Sequence, residues 1–403
     1  MKKNKDILFL CQFFYPEYIS SAQLPYDTVL ALKKAGYKVD VLCGYPREYS
    51  ATENVPVEET VDGIRIKRLK YIQLDRSGFL GRLVNYFSFT CMVLLNLFRT
   101  ARYKAVVVYS NPPILPWIAS WGKKLFGTKL FFVAYDLYPE IAVNTGTLRQ
   151  GNMICRLMNH INKAVYPRID GVIALSEEMK DFIGKNRNVP EEKIHVIPNW
   201  YADEAELPGK NGENSFEKLI QGRFTVSYFG NMGTAQDMDT ILGAIRLLKG
   251  EDICFLFAGH GNKMQSLKNI VREEKLDKVF VYDFLRDRDF RDALAVSGCA
   301  LVSLERGLTG LCVPSKTYSY MQQGIPLLAI MEPGDIVRDI EAGAGCWVRN
   351  GEAQLLAEYI LQMRDNPERR AQMSRVCREL YLEKYTTEIC TARYAELMKR
   401  EVQ

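Results

Sequence analysis

The sequence has few histidines, and its cysteines lack the spacing of metal sites and disulfide frameworks. It has only three histidines, and its ten cysteines are scattered between Cys11 and Cys390, with no CxxC pair and no histidine at zinc-ligand spacing. Cysteines distributed in this way are typical of a protein in a reducing cytosol, where they act as small buried residues. The pattern argues against a structural zinc module and against a small secreted protein held together by disulfides.

Long apolar runs are also scarce, and the charge is nearly balanced. The longest run, residues 83–98, is broken by Asn85 and Asn96 and is shorter than the roughly 20 residues that a membrane-spanning helix needs. Residues 1–6 are charged, so we expect no secretory signal and a cytoplasmic protein. The 53 basic residues are interleaved with 48 acidic ones, for a net charge of +5, and nothing here points to nucleic acid as a partner.

What the sequence does contain is a repeated α/β pattern. Its 403 residues, with 47% apolar side chains, are enough for two domains with separate cores. Short apolar segments bounded by turn residues predict strands, and the segments between them predict helices. The predicted strands are residues 7–11, 39–43, 105–109, 129–134, 171–175 and 193–197 in the first half and 224–229, 254–258, 278–281, 300–304 and 326–330 in the second.

This alternation predicts two doubly wound α/β domains, each with a parallel sheet. We place the first at residues 1–200, the second at 223–381, and a connector rich in Asn, Gly, Glu and Lys at 201–222. We expect the last helix, about residues 382–403, to pack back on the first domain. Two such domains facing each other would form a cleft at the carboxyl ends of their strands, where ligands of open α/β sheets bind.

The loop after the strand at 224–229 is a candidate phosphate site. It contains Gly230, Asn231, Gly233 and Gln236. Glycines at a strand end let the backbone approach a phosphate and turn amides toward it, although a plain tight turn explains the same pattern.

Two neighbouring loops add candidates for the nucleotide. Gly259 and His260 follow the strand at 254–258, and His260 is either a ligand contact or a surface residue. Tyr282 and Phe284 follow the strand at 278–281. Their rings either stack on a base or pack under the adjacent helix.

Residues 304–329 predict a buried strand, a loop and a short helix. Ser315 follows Pro314 at the position of an N-cap, so we expect unpaired amides of the first helical turn and the Lys316 side chain to form a seat for an anion. An ordinary turn with a solvated lysine is the alternative.

Two carboxylates follow a strand of the first half. Asp136 and Glu140 come directly after the strand at 129–134, beside the predicted cleft. Either carboxylate is a candidate catalytic group, and solvated surface acids are the alternative.

These segments, in this order, resemble the family-4 retaining glycosyltransferases of the GT-B fold over essentially the whole chain. Within that family the chain looks like the branch that builds bacterial O-antigens and capsules, including amino-sugar transferases acting on undecaprenyl-linked intermediates. The matching segments are Tyr15-Pro16-Glu17, Gly44-Tyr45-Pro46, Asp62-Gly63-Ile64-Arg65, Asp136-Leu137-Tyr138-Pro139-Glu140, Ala174-Leu175-Ser176, Val196-Ile197-Pro198-Asn199, Gly230-Asn231-Met232-Gly233 and Pro314-Ser315-Lys316.

The resemblance implies an enzyme that moves a hexosyl or N-acetylhexosaminyl group from a nucleotide diphosphate, expected to be UDP, to an undecaprenyl-diphosphate-linked saccharide. The glycine loop would bind the phosphates, and Tyr282 and Phe284 would surround the base. Lys316, Asp136 and Glu140 would be the catalytic residues. Lys316 and Ser315 would offset the charge of the leaving group, so we expect neither a metal nor a cofactor.

Two departures from the family pattern affect the predicted site. The family carries two glutamates eight positions apart, the second of which binds the ribose, and this chain has Leu311 and Ser319 instead. Asn231 and Gln236 replace an arginine and a lysine of the glycine loop, which leaves Lys316 as the remaining candidate cation. A non-catalytic subunit that binds a nucleotide sugar or a partner enzyme, and an epimerase of the same fold, are therefore alternatives.

The apolar run also predicts contact with an anionic membrane. A helix with aromatic residues on several faces and arginines at both ends suits the membrane interface, whereas a helix that covers the sheet is the alternative. We expect peripheral association with the inner face of the cell membrane. The residues that motivate this are Arg76, Arg82, Arg99 and Arg102 around the run, and Trp117, Trp121, Lys123 and Lys124 on the next helix.

Overall fold

The computed structural model describes residues 3–46, 50, 54–75, 78–203 and 214–402. Arg76 and part of the predicted connector lie outside these ranges. The chain divides into two compact units. The first comprises Met1–Asn199, Gly310–Val313 and Thr387–Gln403, and the second comprises Trp200–Thr309 and Pro314–Thr386.

The first unit is a doubly wound α/β domain. Its helices and strands follow one another along the chain as β1 (Lys5–Cys11), α1 (Ser20–Lys34), β2 (Val39–Gly44), β3 (Glu58–Val61), β4 (Ile64–Leu69), α2 (Phe79–Leu95), β5 (Tyr103–Tyr109), α3 (Leu115–Phe126), β6 (Lys129–Val133), α4 (Glu140–Asn144), α5 (Met153–Val165), β7 (Gly171–Ala174), α6 (Glu177–Arg187) and β8 (Ile194–Val196).

The first sheet has eight strands in the order β3-β4-β2-β1-β5-β6-β7-β8. All its pairings are parallel except that of β3 with β4. β2 and β7 are buried at every position, as is typical of strands covered by helices on both faces. The predicted strands of the first half are confirmed, but the β3–β4 hairpin was missed.

The second unit is a smaller domain of the same class. Its elements are α7 (Ser215–Ile220), β9 (Phe224–Asn231), α8 (Met238–Leu247), β10 (Ile253–His260), α9 (Met264–Glu273), β11 (Val279–Asp283), α10 (Asp287–Ala295), β12 (Cys299–Ser303), α11 (Lys316–Gln322), β13 (Leu327–Ile330), α12 (Asp335–Asp339), β14 (Gly345–Val348), α13 (Ala353–Asp365) and α14 (Pro367–Lys384).

The second sheet has the strand order β11-β10-β9-β12-β13-β14, and its pairings are parallel. The strand order reverses direction at β9, so the loops after β9, β10 and β12 lie side by side at the carboxyl edge. That is the position at which open α/β sheets bind ligands. The predicted strands of this half are confirmed, while β14 and the short helix α7, within the predicted connector, were missed.

The last helix, α15 (Thr387–Val402), returns to the first unit. It packs against α1, and Lys129 on β6 forms an ion pair of 3.1 Å with Glu401. Residues 382–386, which we expected in this helix, instead belong to the second unit. No helix in the described part of the chain combines the length and the hydropathy needed to cross a membrane.

Candidate functional site

The glycine loop after β9 is closed by bonds within the protein. The amide of Met232 donates to the His260 carbonyl at 2.6 Å, and the amide of Gln236 donates to the Gly233 carbonyl at 3.2 Å. The Gln236 side chain is buried, and its Oε1 accepts the Gly233 amide at 2.9 Å. The prediction that amides of this loop cradle a phosphate is therefore wrong for these three groups. Gln236 shapes the loop.

The glycines at the two strand ends are required by close backbone packing. Gly230 and Gly259 face each other in the ladder between β9 and β10. A Cβ on Gly259 would lie 1.9 Å from the Gly230 carbonyl oxygen, a distance that no side chain tolerates. Gly259 thus contributes to strand packing. A Cβ on Gly230 would instead approach a side chain, because it would lie 3.4 Å from Cε of Lys316.

Lys316 is the chemically unusual group at this edge of the sheet. Its Nζ is buried and has no hydrogen-bond partner among the described residues. It lies 3.5 Å from the centroid of the Tyr228 ring, in the geometry of a cation–π contact. Burial lowers the pKa of Lys316 well below its ordinary value of 10.5. An anion at this position would satisfy the three unused N–H donors and favour the charged lysine.

Tyr228 is the residue of this site that the sequence analysis missed. It is fully buried on β9, and its hydroxyl donates to the Asn231 carbonyl at 2.8 Å. The residue thereby connects Lys316 to the backbone of the glycine loop. An aromatic residue inside a predicted apolar strand is expected to be part of the core, so no local pattern marks this role.

The start of α11 differs from the prediction. Ser315 occupies the N-cap position, but its φ of −61° and ψ of −22° are helical, and its side chain makes no capping bond. The amide of Thr317 donates to the Pro314 carbonyl at 3.2 Å, and that of Tyr318 to the Ser315 carbonyl at 3.3 Å. The predicted seat of unpaired amides is therefore wrong for these two residues. Lys316 remains as the cation.

Ser319, at the position of the family's second glutamate, is satisfied within its own helix. The side chain is buried, and its hydroxyl donates to the Lys316 carbonyl at 2.8 Å. This hydrogen bond stabilises the helical turn that carries Lys316. The hydroxyl is buried, and the side chain is shorter than that of glutamate, so it does not replace the missing carboxylate.

The ends of β10 and β11 carry three rings, the imidazole of His260 and the aromatic rings of Tyr282 and Phe284. His260 is exposed, and its ring centroid lies 5.9 Å from that of Phe284. Tyr282 is partly exposed and packs edge-on against Phe216 of α7 at 5.6 Å. Burial and the nearby charge of Lys316 lower the pKa of His260 below its ordinary 6.5. The imidazole is therefore neutral at neutral pH.

A second lysine beside the glycine loop was also missed. Nζ of Lys263, at the start of α9, donates to the Gln236 carbonyl at 2.7 Å and lies 3.8 Å from the Glu305 carboxylate. Burial raises the pKa of Glu305. Lys263 comes three residues after His260, which ends the predicted loop at Gly259-His260. A lysine this close to a polar strand end was the sequence feature that could have identified it.

The first unit places Asp136 and Glu140 in different environments. The carboxylate of Asp136 has no partner among the described residues, and burial raises its pKa to about 6. A small cavity beside it is lined by Ser110, Tyr138 and Asn162. Glu140 instead forms an ion pair with Arg187, whose guanidinium lies 5.5 Å from the Phe182 ring centroid.

Asp136 is partly exposed, and with a pKa of about 6 its carboxyl is mostly ionised at physiological pH. The carboxylate of Glu140 is held in its ion pair with Arg187. Within the described ranges, no three His, Cys, Asp or Glu side chains are grouped so that they could hold a metal ion.

Comparison with known families agrees with this arrangement. Residues 25–200 match the model of the glycosyl transferase 4-like domain, and residues 211–379 match that of the glycosyl transferases group 1. The chain belongs to the GT-B glycosyltransferases. The two matched ranges place the glycosyl transferase 4-like domain on the first sheet and the group 1 domain on the second.

Two curated glycosyltransferase relatives match part of the chain. WbjE of Pseudomonas aeruginosa, named as a glycosyltransferase, is 30% identical over 251 residues. WcaI of Escherichia coli (strain K12), named for colanic acid biosynthesis, is 22% identical over 257 residues. Each match covers 61% of this chain and 62% of the relative's length.

Solved glycosyltransferase structures share the fold over nearly the full length. HepE from Anabaena, solved in complex with UDP and glucose, aligns with a TM-score of 0.71 over 98% of this chain and 100% of its own, at 15% identity. WaaG, a glycosyltransferase involved in lipopolysaccharide biosynthesis, aligns with a TM-score of 0.68 over 97% and 99% of the two chains, at 12% identity. At these identities the likeness concerns the fold.

Proposed function

We propose that this protein is a retaining glycosyltransferase that moves a sugar from a UDP-linked donor to a lipid-linked saccharide during synthesis of a bacterial surface polysaccharide. Family membership supports the reaction class. The names of WcaI and WaaG, and the UDP in the HepE complex, support the pathway and the donor. The observation that carries the proposal is the buried, unpaired ammonium of Lys316 beside the glycine loop.

Lys316 is proposed to bind the donor diphosphate and to stabilise it as it leaves. When the bond from the anomeric carbon to the diphosphate breaks, negative charge accumulates on the phosphate oxygens. A fixed cation in a water-poor site stabilises that charge strongly, because little solvent screens it. The amides of Met232 and Gly233 already have acceptors, so the lysine performs this function without those two amides. We propose that transfer needs no metal ion.

Tyr282, Phe284 and His260 are proposed to form the base-binding surface. Tyr282, near the end of β11, and Phe284, just after it, are partly exposed, and the His260 ring lies 5.9 Å from that of Phe284. A neutral imidazole can accept or donate one hydrogen bond to the base or the ribose, which is the contact that the buried Ser319 no longer offers.

Asp136 is proposed to bind the acceptor hydroxyl in the first unit. A carboxylate without a protein partner can accept the hydroxyl's hydrogen bond and take its proton while the hydroxyl attacks the anomeric carbon from the face that the diphosphate leaves, which retains the configuration. Glu140 is not kept in this function, because its carboxylate is paired with Arg187.

One observation favours the non-catalytic alternative. Ser319 is buried and internally bonded, and Leu311 is buried, so neither replaces a glutamate of the family pattern. A subunit that binds the nucleotide sugar without transferring it would tolerate this loss.

A two-stage experiment separates these functions. We expect UDP-linked hexoses or N-acetylhexosamines to raise the melting temperature, because a ligand that binds the native state stabilises it by RT ln(1 + [L]/Kd). We expect labelled sugar to pass from the stabilising donor to undecaprenyl-linked saccharides extracted from bacterial membranes, with excess chelator present. Stabilisation without transfer would establish the non-catalytic subunit. No stabilisation by any nucleotide sugar would contradict the donor site, and loss of transfer on chelation would contradict the metal-free mechanism.

The proposed membrane-docking surface lies on the first unit, on the neighbouring helices α2, α3 and α5. Their large exposed apolar side chains are Leu80, Phe87, Leu94 and Leu95 on α2, Phe98 just after it, Leu125 on α3, and Met153 and Leu157 on α5. Exposed apolar groups on adjacent helices mark an interaction surface, and a lipid-linked acceptor requires the enzyme to approach the bilayer.

The charge around this surface fits an anionic bilayer. Arg82, Lys124, Arg156 and Lys163 are exposed on the same helices. Lys123, which the sequence suggested as a lipid contact, instead pairs with Asp170 at 2.6 Å and is not used in this proposal. Each exposed basic residue near an anionic membrane contributes about 1 kcal/mol of attraction.

Two exposed apolar residues test the docking surface. Leu95 is 68% exposed and Phe98 is 58% exposed, so changing both to glutamine removes membrane contacts at little cost in folding. We expect the double variant to lose most of its flotation with vesicles of phosphatidylglycerol and phosphatidylethanolamine. The matched control is Leu247→Gln in the second unit, where the side chain is 60% exposed. Equal flotation of the double variant and the wild type would rule out this surface.

A further inference from the structure

The contact between Lys316 and Tyr228 has a specific geometry. Nζ lies 3.5 Å from the ring centroid, close to van der Waals contact with the negative face of the ring. The described residues offer this nitrogen no oxygen acceptor. The ring is therefore the contact that orients this nitrogen in the ligand-free protein. Burial lowers the pKa of Lys316, whereas the face of the ring and a bound anion both favour the charged form.

The ring is itself fixed on two sides. Tyr228 is fully buried in the core of the second unit, and its ring lies 6.0 Å from that of Phe257 on β10. Its hydroxyl is anchored to the Asn231 carbonyl at 2.8 Å. A ring held by core packing and by one hydrogen bond cannot turn away, so it defines where the ammonium lies.

A glycine also lies beside the lysine. Gly230 has a φ of 128°, which favours glycine, and a Cβ there would lie 3.4 Å from Cε and 3.7 Å from Nζ of Lys316. The ammonium is thus bounded by an aromatic face on one side and by a backbone without a side chain on another. A side chain at position 230 would crowd the lysine, so the glycine keeps that side of Lys316 free of side-chain atoms.

We propose that Tyr228 is a positioning residue for donor binding, and that the face of its ring holds the Lys316 ammonium where the diphosphate of the donor binds. The inference rests on the proposed donor site and adds a residue to it. It also accounts for a site that functions without the arginine and lysine of the glycine loop, here Asn231 and Gln236. One cation held in place loses less conformational entropy on binding than a mobile one.

The test uses inorganic pyrophosphate and UDP as probes and changes the ring in steps. Tyr228→Phe keeps the ring and loses the hydroxyl, so we expect calorimetric Kd values within about threefold of the wild type. Tyr228→Leu removes the ring, and we expect both Kd values to rise about tenfold. Uridine, which has no phosphate, is the control ligand, and its Kd should be the same in all variants.

A second substitution keeps the test decisive if the leucine variant misfolds. Tyr228→4-cyanophenylalanine, introduced by codon suppression, preserves the size of the ring but withdraws electron density from its face. We expect weaker pyrophosphate binding with an unchanged melting temperature. Since the chain has only three histidines, NMR can follow His260 directly. Partial desolvation and the charge of Lys316 both lower the pKa of His260, so we expect this pKa to rise in the cyano variant if the lysine moves away from the ring.

The outcomes are distinguishable from failure of the proposed function. If the wild type binds pyrophosphate and the cyano variant binds it equally well or more tightly, the ring does not position the lysine, and the donor site still stands. If the wild type binds neither pyrophosphate nor UDP, the donor site itself fails, and the inference fails with it.

Discussion

Replacing Lys316 with methionine should lower kcat for sugar transfer about a hundredfold or more, with a smaller rise in the donor KM. The reason is that a cation facing a leaving group interacts more strongly with the transition state than with the bound substrate. Methionine is unbranched and can occupy the same space over the Tyr228 ring. Since it removes a buried amino group without a hydrogen-bond partner, we expect the melting temperature of the free protein to stay the same or rise.

The measurement is steady-state kinetics with the donor identified by the stabilisation screen. The control is Lys249→Met, because Lys249 is an exposed lysine of the same unit whose Nζ bonds to the Glu274 carbonyl. The control should retain wild-type kcat. A Lys316→Met enzyme with near-normal kcat would remove this lysine from the mechanism, whatever its effect on affinity.

Replacing Asp136 with asparagine should abolish most of the transfer activity and its dependence on pH near 6. Burial raises the pKa of this carboxyl from 3.8 to about 6, so the wild-type group loses its charge as the pH falls through about 6. If the ionised form accepts the acceptor's proton, wild-type kcat/KM for the acceptor rises with pH and levels off above about 7. The asparagine variant should give a low, flat profile over the same range.

The sign of the stability effect gives an independent check on Asp136. The folded protein binds the proton more tightly than the unfolded chain does, so the ionised carboxylate destabilises the fold increasingly as the pH rises from about 4 to about 6. The asparagine side chain carries no charge at any pH, so Asp136→Asn should melt at a higher temperature than the wild type at pH 8 and not at pH 4.

Glu140 provides the matched comparison for Asp136. Glu140→Gln weakens the ion pair with the largely buried Arg187, so we expect lower stability, on the order of 1 kcal/mol, with activity largely kept. Activity that is lost in the Glu140 variant but kept in the Asp136 variant would reverse the assignment of the two carboxylates.

The fold was predictable where burial alone determines it. The apolar segments at β1, β5 and β10 are buried almost throughout, so their composition marks them as central strands of a parallel sheet. The strand Glu58–Val61 is a half-exposed edge whose residues are mostly polar, and composition alone does not mark it. The following Asp62-Gly63, with φ values of 50° and 69°, is the turn that could have revealed the hairpin.

The site was predictable in its location but not in its contacts. The position of Lys316 after a strand could be read from the sequence, because strand order brings such loops to one edge. The glycine loop, however, is closed by the side chain of Gln236, and that bond depends on the detailed turn geometry. The stacking of Lys316 on Tyr228 joins the first residue of α11 to a residue inside β9, far apart in the sequence. Neither contact leaves a local sequence pattern.

The return of α15 to the first unit has a consequence for synthesis on the ribosome. Cys390, Tyr394, Leu397 and Met398 of this helix are buried, and the helix packs against α1. The first domain to emerge therefore exposes the apolar surface around α1 until the whole second domain has been translated. We infer that the nascent first domain has a long period in which chaperones can bind it, and that it completes its core last although it is made first.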